Sequence, residues 1–183
     1  AWIINSDAHL TYKLLRRMKT LQYYRGNNIT SINRALVMMG DAEVRRWIML
    51  ILLRNVTNTR SDELIRTALI RAFLCEKLAQ ESGRGNSVSE AYSAGMLSIL
   101  TTGGHDPREM LGDIQIPSIV RDALSGKDCF LKRLLDIAVC YENGNWNKLE
   151  YLKEYSVPEL NAKFLPGLYM ASVAEADEML SKE

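Results

Sequence analysis

DAEVRRWIMLILLRNV, residues 41–56, decides the fold class. Val44, Trp47, Ile48, Ile51 and Leu52 recur at the i, i+3, i+4 spacing of one helical face. Met49, Leu50 and Leu53 widen that stripe almost to the whole circumference, which is the pattern of a central, buried helix. Asp41 reads as its N-cap, and Gly40 as the stop of a shorter helix that Thr30 or Ser31 opens. The apolar core of the stretch, Trp47 to Leu53, is far shorter than the roughly 20 residues that cross a bilayer. It is also flanked by Arg45, Arg46 and Arg54. No membrane association is expected.

Outward from this helix the 3.6-residue period persists. A first helix is expected over Trp2 to Tyr24, with Leu10, Leu14, Met18 and Leu21 on one stripe. After the polar break Thr57 to Arg60, Ser61 caps a helix to about Gln80. Ser87-Val88-Ser89-Glu90 reads as a capping box opening a helix of small residues, among them Ala91, Ala94 and Gly95, which allow a neighbour to approach closely. Short helices follow Asp106 and Pro117, and Gly126 ends the second. A helix over Asp128 to Tyr141 precedes the turn Glu142-Asn143-Gly144-Asn145, and Asn145 caps the helix that starts at Trp146. Ser156-Val157-Pro158-Glu159 opens the last helix, which Pro166-Gly167 is expected to kink or break. No alternating β-branched run occurs. The reading is an all-α, compact multi-helix bundle of about nine or ten helices. One domain over 1–183 is expected, with 1–56 as an N-terminal sub-bundle and 61–183 as the core and C-terminal helices. Trp2-Ile3-Ile4 reads as the inside of an amphipathic helix, so the chain is expected to be a fragment of a longer protein.

Composition narrows the function classes. The 183 residues carry 23 basic and 22 acidic side chains, a formal charge of +1, so no global field draws nucleic acid or anionic lipid. Cys75, Cys129 and Cys140 are an odd number without a Cys-x-x-Cys pair, which fits reduced thiols and a cytoplasmic setting. There is no phosphate loop, because Gly103-Gly104 lacks the following Lys-Ser/Thr.

One motif invites a catalytic reading. The doublet His105-Asp106 lies in TTGGHDPRE, residues 101–109, and adjacent His-Asp is a metal-holding signature of helical phosphohydrolases. Here Asp106 has a local explanation as N-cap, with Pro107 at the first helical position and Glu109 as reciprocal acid. A hydrolase would have to assemble its ligands from His105, Asp106 and Asp113 or Asp136, and His9 is the other histidine of the chain. Basic residues on the first helix, Lys13, Arg16, Arg17 and Lys19, offer a nucleic-acid reading, without the interleaved aromatics of single-strand binders. Tyr23-Tyr24 beside Arg25 reads as packing at a helix end. Arg45-Arg46, Arg121 and Lys132-Arg133 read as solvated faces.

The block INRALVMMG, residues 32–40, with Glu43-Val44-Arg45-Arg46-Trp47, resembles the HDOD domain, the non-catalytic relative of the HD phosphohydrolases. Ser6 to Leu10 and Lys13 to Arg16 resemble the start of its first helices. Leu64-Ile65-Arg66 to Cys75-Glu76 and the Tyr141-to-Trp146 stretch look most like bacterial two-domain proteins in which an EAL-type cyclic-di-GMP domain precedes HDOD. The resemblance implies an HD-type helical fold. It places the first metal-ligand histidine of catalytic relatives near Thr67 and their His-Asp doublet at Ser98-Ile99. Neither position supplies that ligand set, and His105-Asp106 falls about two turns further on. The resemblance therefore implies no enzyme, no catalytic or metal-binding residues and no cofactor. It implies a signalling and protein-interaction module of bacterial signal transduction. Its expected partner is a protein or an attached EAL domain. A divergent phosphohydrolase and a nucleic-acid-binding helical domain are the rival readings.

Overall fold

The computed structural model describes residues 12, 32–56, 61–101, 115–150 and 164–181, and among them every regular element is helical. In chain order these are α1 (Ile32–Met39), α2 (Asp41–Val56), α3 (Asp62–Glu81), α4 (Val88–Leu97), α5 (Ser118–Leu124), α6 (Phe130–Glu142) and α7 (Leu165–Ser181). Single 3-10 turns, Gly85–Ser87 and Ser98–Thr101, flank α4. Residues 146–150 open a further helix. No helix among the described residues is long and apolar enough to cross a membrane. The chain divides into two compact units, Ala1–Ile51 with Asp177–Glu183, and Leu52–Ala176.

In the first unit Gly40 turns the chain between α1 and α2. Its φ of +78° is a conformation that L side chains rarely adopt. The Gly40 amide donates to the Leu36 carbonyl at 3.2 Å, and its own carbonyl accepts Val44 N–H at 3.1 Å. Gly40 is thus the joint, and Asp41 is the first helical residue of α2 instead of its cap. There the Asp41 carboxylate favours the positive end of the helix and meets Arg45 at 2.6 Å on the surface. Gly40→Ala is expected to cost about 1 kcal/mol in urea unfolding, from the left-handed backbone alone, since no atom lies within 4 Å of a Cβ placed there. Gly85→Ala, at ordinary φ and equally open, is the neutral control.

Trp47, Leu50, Ile51 and Leu53 of α2 are buried as the periodicity requires. Ile48 is not: it is 44% exposed, so one side of α2 stays open and the expectation of a helix buried all round is corrected. The most enclosed helix is α3, of which twelve residues are buried, including Arg71 and Glu76. Neighbours on more than one side explain this, because α3 packs most extensively on α4 and also on α6.

The α3–α4 contact is close because Gly95 has no side chain. A Cβ on Gly95 would stand 2.7 Å from Ala72 Cα and 2.7 Å from the Arg71 carbonyl oxygen. Ala91 and Ala94 keep the same helix thin, and Phe73 meets Tyr92 edge to face at 5.3 Å. The small-residue reading of α4 is borne out.

Helix starts differ in detail from the sequence reading. Ser61 and Ser87 stand at the N-cap positions of α3 and α4, but neither side chain makes the capping bond. The 3-10 turn Gly85–Ser87 runs directly into α4, and the Ser87 amide that a capping box would satisfy donates to the Arg84 carbonyl at 2.9 Å. Asn145 does cap, its Oδ1 accepting Lys148 N–H at 3.3 Å. Pro166 lies in the first turn of α7, where no intrahelical N–H is required of it; the stretch from Ser156 that it was expected to interrupt lies outside the described residues. The Ser156 capping box lies outside the described residues.

Candidate functional site

Thr67, Arg71 and Cys75 follow one another at i+4 on α3 and share a face. Arg71 is 8% exposed, and its guanidinium is met from two other elements of the same unit. Glu142, the last residue of α6, takes Nε at 3.1 Å and Nη2 at 2.7 Å in a forked pair. Ser98, just past α4, accepts Nη1 at 2.9 Å. Ser98 donates its own hydroxyl to the Gly95 carbonyl at 2.7 Å, so its oxygen is left to accept, and Arg71 is the donor that suits it. Both side chains of the ion pair are nearly enclosed, at 10% and 12%. A buried charge requires such pairing, because desolvation without it is severe.

Cys75 lies one turn beyond Arg71, fully buried. Burial pushes its thiol from 9.0 up to about 12, against a lowering by the Arg71 charge and with a smaller raising by Glu142. At pH 8 only roughly one part in ten thousand would be thiolate. A thiol reagent is therefore expected to leave Cys75 unlabelled in the native protein and to label the half-buried Cys129 first; equal rates for the two would contradict the burial. The sign for stability follows from the proton count. Above pH 9 the unfolded chain releases the Cys75 proton while the folded chain holds it to about 12, so stability falls as pH rises through that window.

Towards the surface, Tyr141 precedes Glu142 and contacts two rings. Trp146 lies edge-on at 5.4 Å and Tyr169 of α7 at 4.9 Å. Burial first, then the Glu142 charge, raises the Tyr169 phenol, and Arg66 opposes this. The sequence placed Tyr141 to Trp146 in a helix end and turn; the fold makes that segment an aromatic step, with Trp146 57% exposed.

The other residues singled out from sequence fall as follows. Thr67 is half-buried one turn before Arg71, while Ser98 and Ile99 are 3% and 7% exposed. Asp136 pairs with Lys132 on α6. Arg133 binds Asp128 at 2.9 Å, and hydrogen bonding from Arg133 holds the Asp128 carboxyl below its usual range. Arg46 binds Glu43 at 2.8 Å, and Arg121 reaches the Ile116 carbonyl at 3.4 Å. His9, Lys13, Arg16, Arg17, Lys19, Tyr23, Tyr24, His105, Asp106 and Asp113 lie outside the described residues. Among the described residues no three His, Cys, Asp or Glu side chains come together as a metal-holding group. Sequence reasoning missed Arg71 and Glu142. The available signal was a lone arginine inside the apolar run Ala68 to Cys75.

The sequence profile of the HDOD domain matches residues 1–101. The chain belongs to the HDOD domain family. Beyond the family match, this HDOD chain is 28% identical over 148 residues to the uncharacterized protein YuxH of Bacillus subtilis, covering 79% of this chain and 36% of that protein. It is likewise 28% identical over 149 residues to the cyclic di-GMP phosphodiesterase CdgJ of Vibrio cholerae, covering 81% of this chain and 34% of that protein. The HDOD chain thus spans about a third of the length of the curated relatives it matches. No solved structure matches it.

Proposed function

We propose that this HDOD domain is a non-catalytic signalling and protein-interaction module of the cytoplasm. It acts as the regulatory part of a cyclic-di-GMP-related protein, attached to an EAL-type domain. The observation that carries this reading is the filling of the α3–α4–α6 junction. Thr67 and Ser98 stand where the resemblance assigns metal ligands, and Ser98 is already engaged by the Arg71 guanidinium, which Glu142 holds from its other side. A divalent cation would need those same oxygens.

The link to cyclic di-GMP is supported by the name of CdgJ and by nothing in this site. About a third of CdgJ is matched, so its phosphodiesterase activity belongs to a protein much longer than the matched part. The test combines metal analysis with turnover. Protein purified without a metal-binding tag is expected to carry no stoichiometric metal and to leave cyclic di-GMP intact with Mg²⁺ or Mn²⁺ added. It is expected to change the rate of an EAL domain joined to it. Stoichiometric metal lost on His105→Ala, together with phosphodiester hydrolysis, would replace this reading with that of a hydrolase.

A further inference from the structure

Three features of the molecule lie beyond that reading: the buried Arg71 cluster, the aromatic step at Trp146, and the exposed apolar side chains Val37 and Ile48 of α1 and α2. The last two are surfaces with nothing to say what covers them. The first is a built site with a definite chemistry.

We infer that the junction of α3, α4 and α6 is an internal cation site shaped for a guanidinium, and that Arg71 is its tethered occupant. It acts as a cross-link of three elements, much as a bound ion does. The inference deepens the non-catalytic reading and rests on it for the claim that this cation is resident and not exchangeable. Three features carry the shape. Glu142 presents both carboxylate oxygens to Nε and Nη2, the planar two-point match that an ammonium cannot make. Ser98, committed as donor to Gly95, offers an acceptor on the Nη1 side. The pair is enclosed, its side chains 10% and 12% exposed, and the fully buried Cys75 feels both charges, so little water competes for them. Because Glu142 ends α6 and follows Tyr141, the same bond fixes the helix end from which the Tyr141–Trp146 contact is built. Arg71 is a positioning residue for that surface step.

The test is rescue by free guanidinium in Arg71→Ala, made in the whole chain and followed by thermal unfolding. Breaking the pair is expected to lower Tm by roughly 6–20 °C. Guanidinium chloride, far below denaturing concentration, is then expected to raise the Tm of Arg71→Ala while lowering that of the parent. Methylammonium chloride at equal ionic strength is expected to do neither. Glu142→Ala, which lacks the fork, is expected to lose as much stability and to gain nothing from guanidinium. A variant that is merely destabilised would fall further in guanidinium, and that result would overturn the inference. Should Arg71→Ala not fold, Arg71→Lys serves: it keeps the charge without the fork, and a Tm equal to the parent's would overturn the inference as well. The two readings fail separately. Metal and hydrolysis in the parent protein would remove the non-catalytic function, whereas absent rescue of Arg71→Ala, with the parent free of metal, would remove only the cation site.

Discussion

Glu142→Ala is expected to destabilise the protein by about 3–5 kcal/mol, the effect of stranding one partner of an enclosed ion pair. The alanine leaves the guanidinium of Arg71, a residue 8% exposed in the parent, with Ser98 as its remaining acceptor. A charge in that position has lost its counter-charge, and a site this enclosed restores its hydration only in part. Replacing both partners, Arg71→Met with Glu142→Met, removes the charge and its desolvation together and keeps most of the volume. The double variant is expected to recover most of the loss. Urea unfolding of Arg71→Met, Glu142→Met and the double variant closes a cycle. Additive losses in the double would mean that the pair is not coupled, against the bidentate geometry. The exposed pairs set the contrast. In the Asp41–Arg45 pair the side chains are 80% and 63% exposed respectively, and Arg45→Ala is expected to change stability by no more than a few tenths of a kcal/mol.

Gly95→Val is the second large expectation, at roughly 3 kcal/mol or more. The Cβ alone would lie 2.7 Å from Ala72 Cα, 2.7 Å from the Arg71 carbonyl oxygen and 2.9 Å from Ala72 N, all of them backbone atoms that no rotamer change can move aside. The two helices must separate, and the separation reaches Ser98, which is anchored to the Gly95 carbonyl. Gly95→Ala meets the same clash but gains about 1 kcal/mol of helix propensity, so it is expected to fall between the parent and valine. A stable Gly95→Ala with unchanged unfolding would show that α3 and α4 do not approach this closely. Because Arg71 and Ala72 form the wall against Gly95, this variant and the ion-pair variants are neighbours and are not expected to be additive.

The family and the helical class were legible along the chain because both are carried by local signals. A 3.6-residue period needs only its own segment, and a glycine at a helix end announces the left-handed turn found at Gly40. The turn at Asn143-Gly144 and the Asn145 cap were legible for the same reason. So was the thinness of α4, since Ala91, Ala94 and Gly95 are small whatever lies opposite them. Where the sequence reading went astray, a neighbour or its absence decided. Ile48 fits the apolar stripe as well as Ile51 does, yet Ile48 is 44% exposed and Ile51 8%. Periodicity gives the face of a helix but not how far its neighbours extend around it. Ser87 and Glu90 have the spacing of a capping box, but a preceding 3-10 turn took its place.

The site shows the division most clearly. From sequence alone, the ligand positions implied by resemblance were Thr67 and Ser98-Ile99, and their side chains could be judged unfit as a metal set. What fills the space beside them was not legible. Arg71 and Glu142 are 71 residues apart, and although Arg71 stands out as the lone charge in the apolar run Ala68 to Cys75, nothing in either segment names its partner. Only packing α6 against α3 brings the carboxylate to the guanidinium. Only the close α3–α4 contact at Gly95 brings Ser98 to its other side. The sequence by itself determined the helices, their stops and the family, since these are set by backbone preference and apolar spacing within a segment. The tertiary structure decided that the junction holds a paired internal cation, because that depends on burial and on charges meeting across three elements.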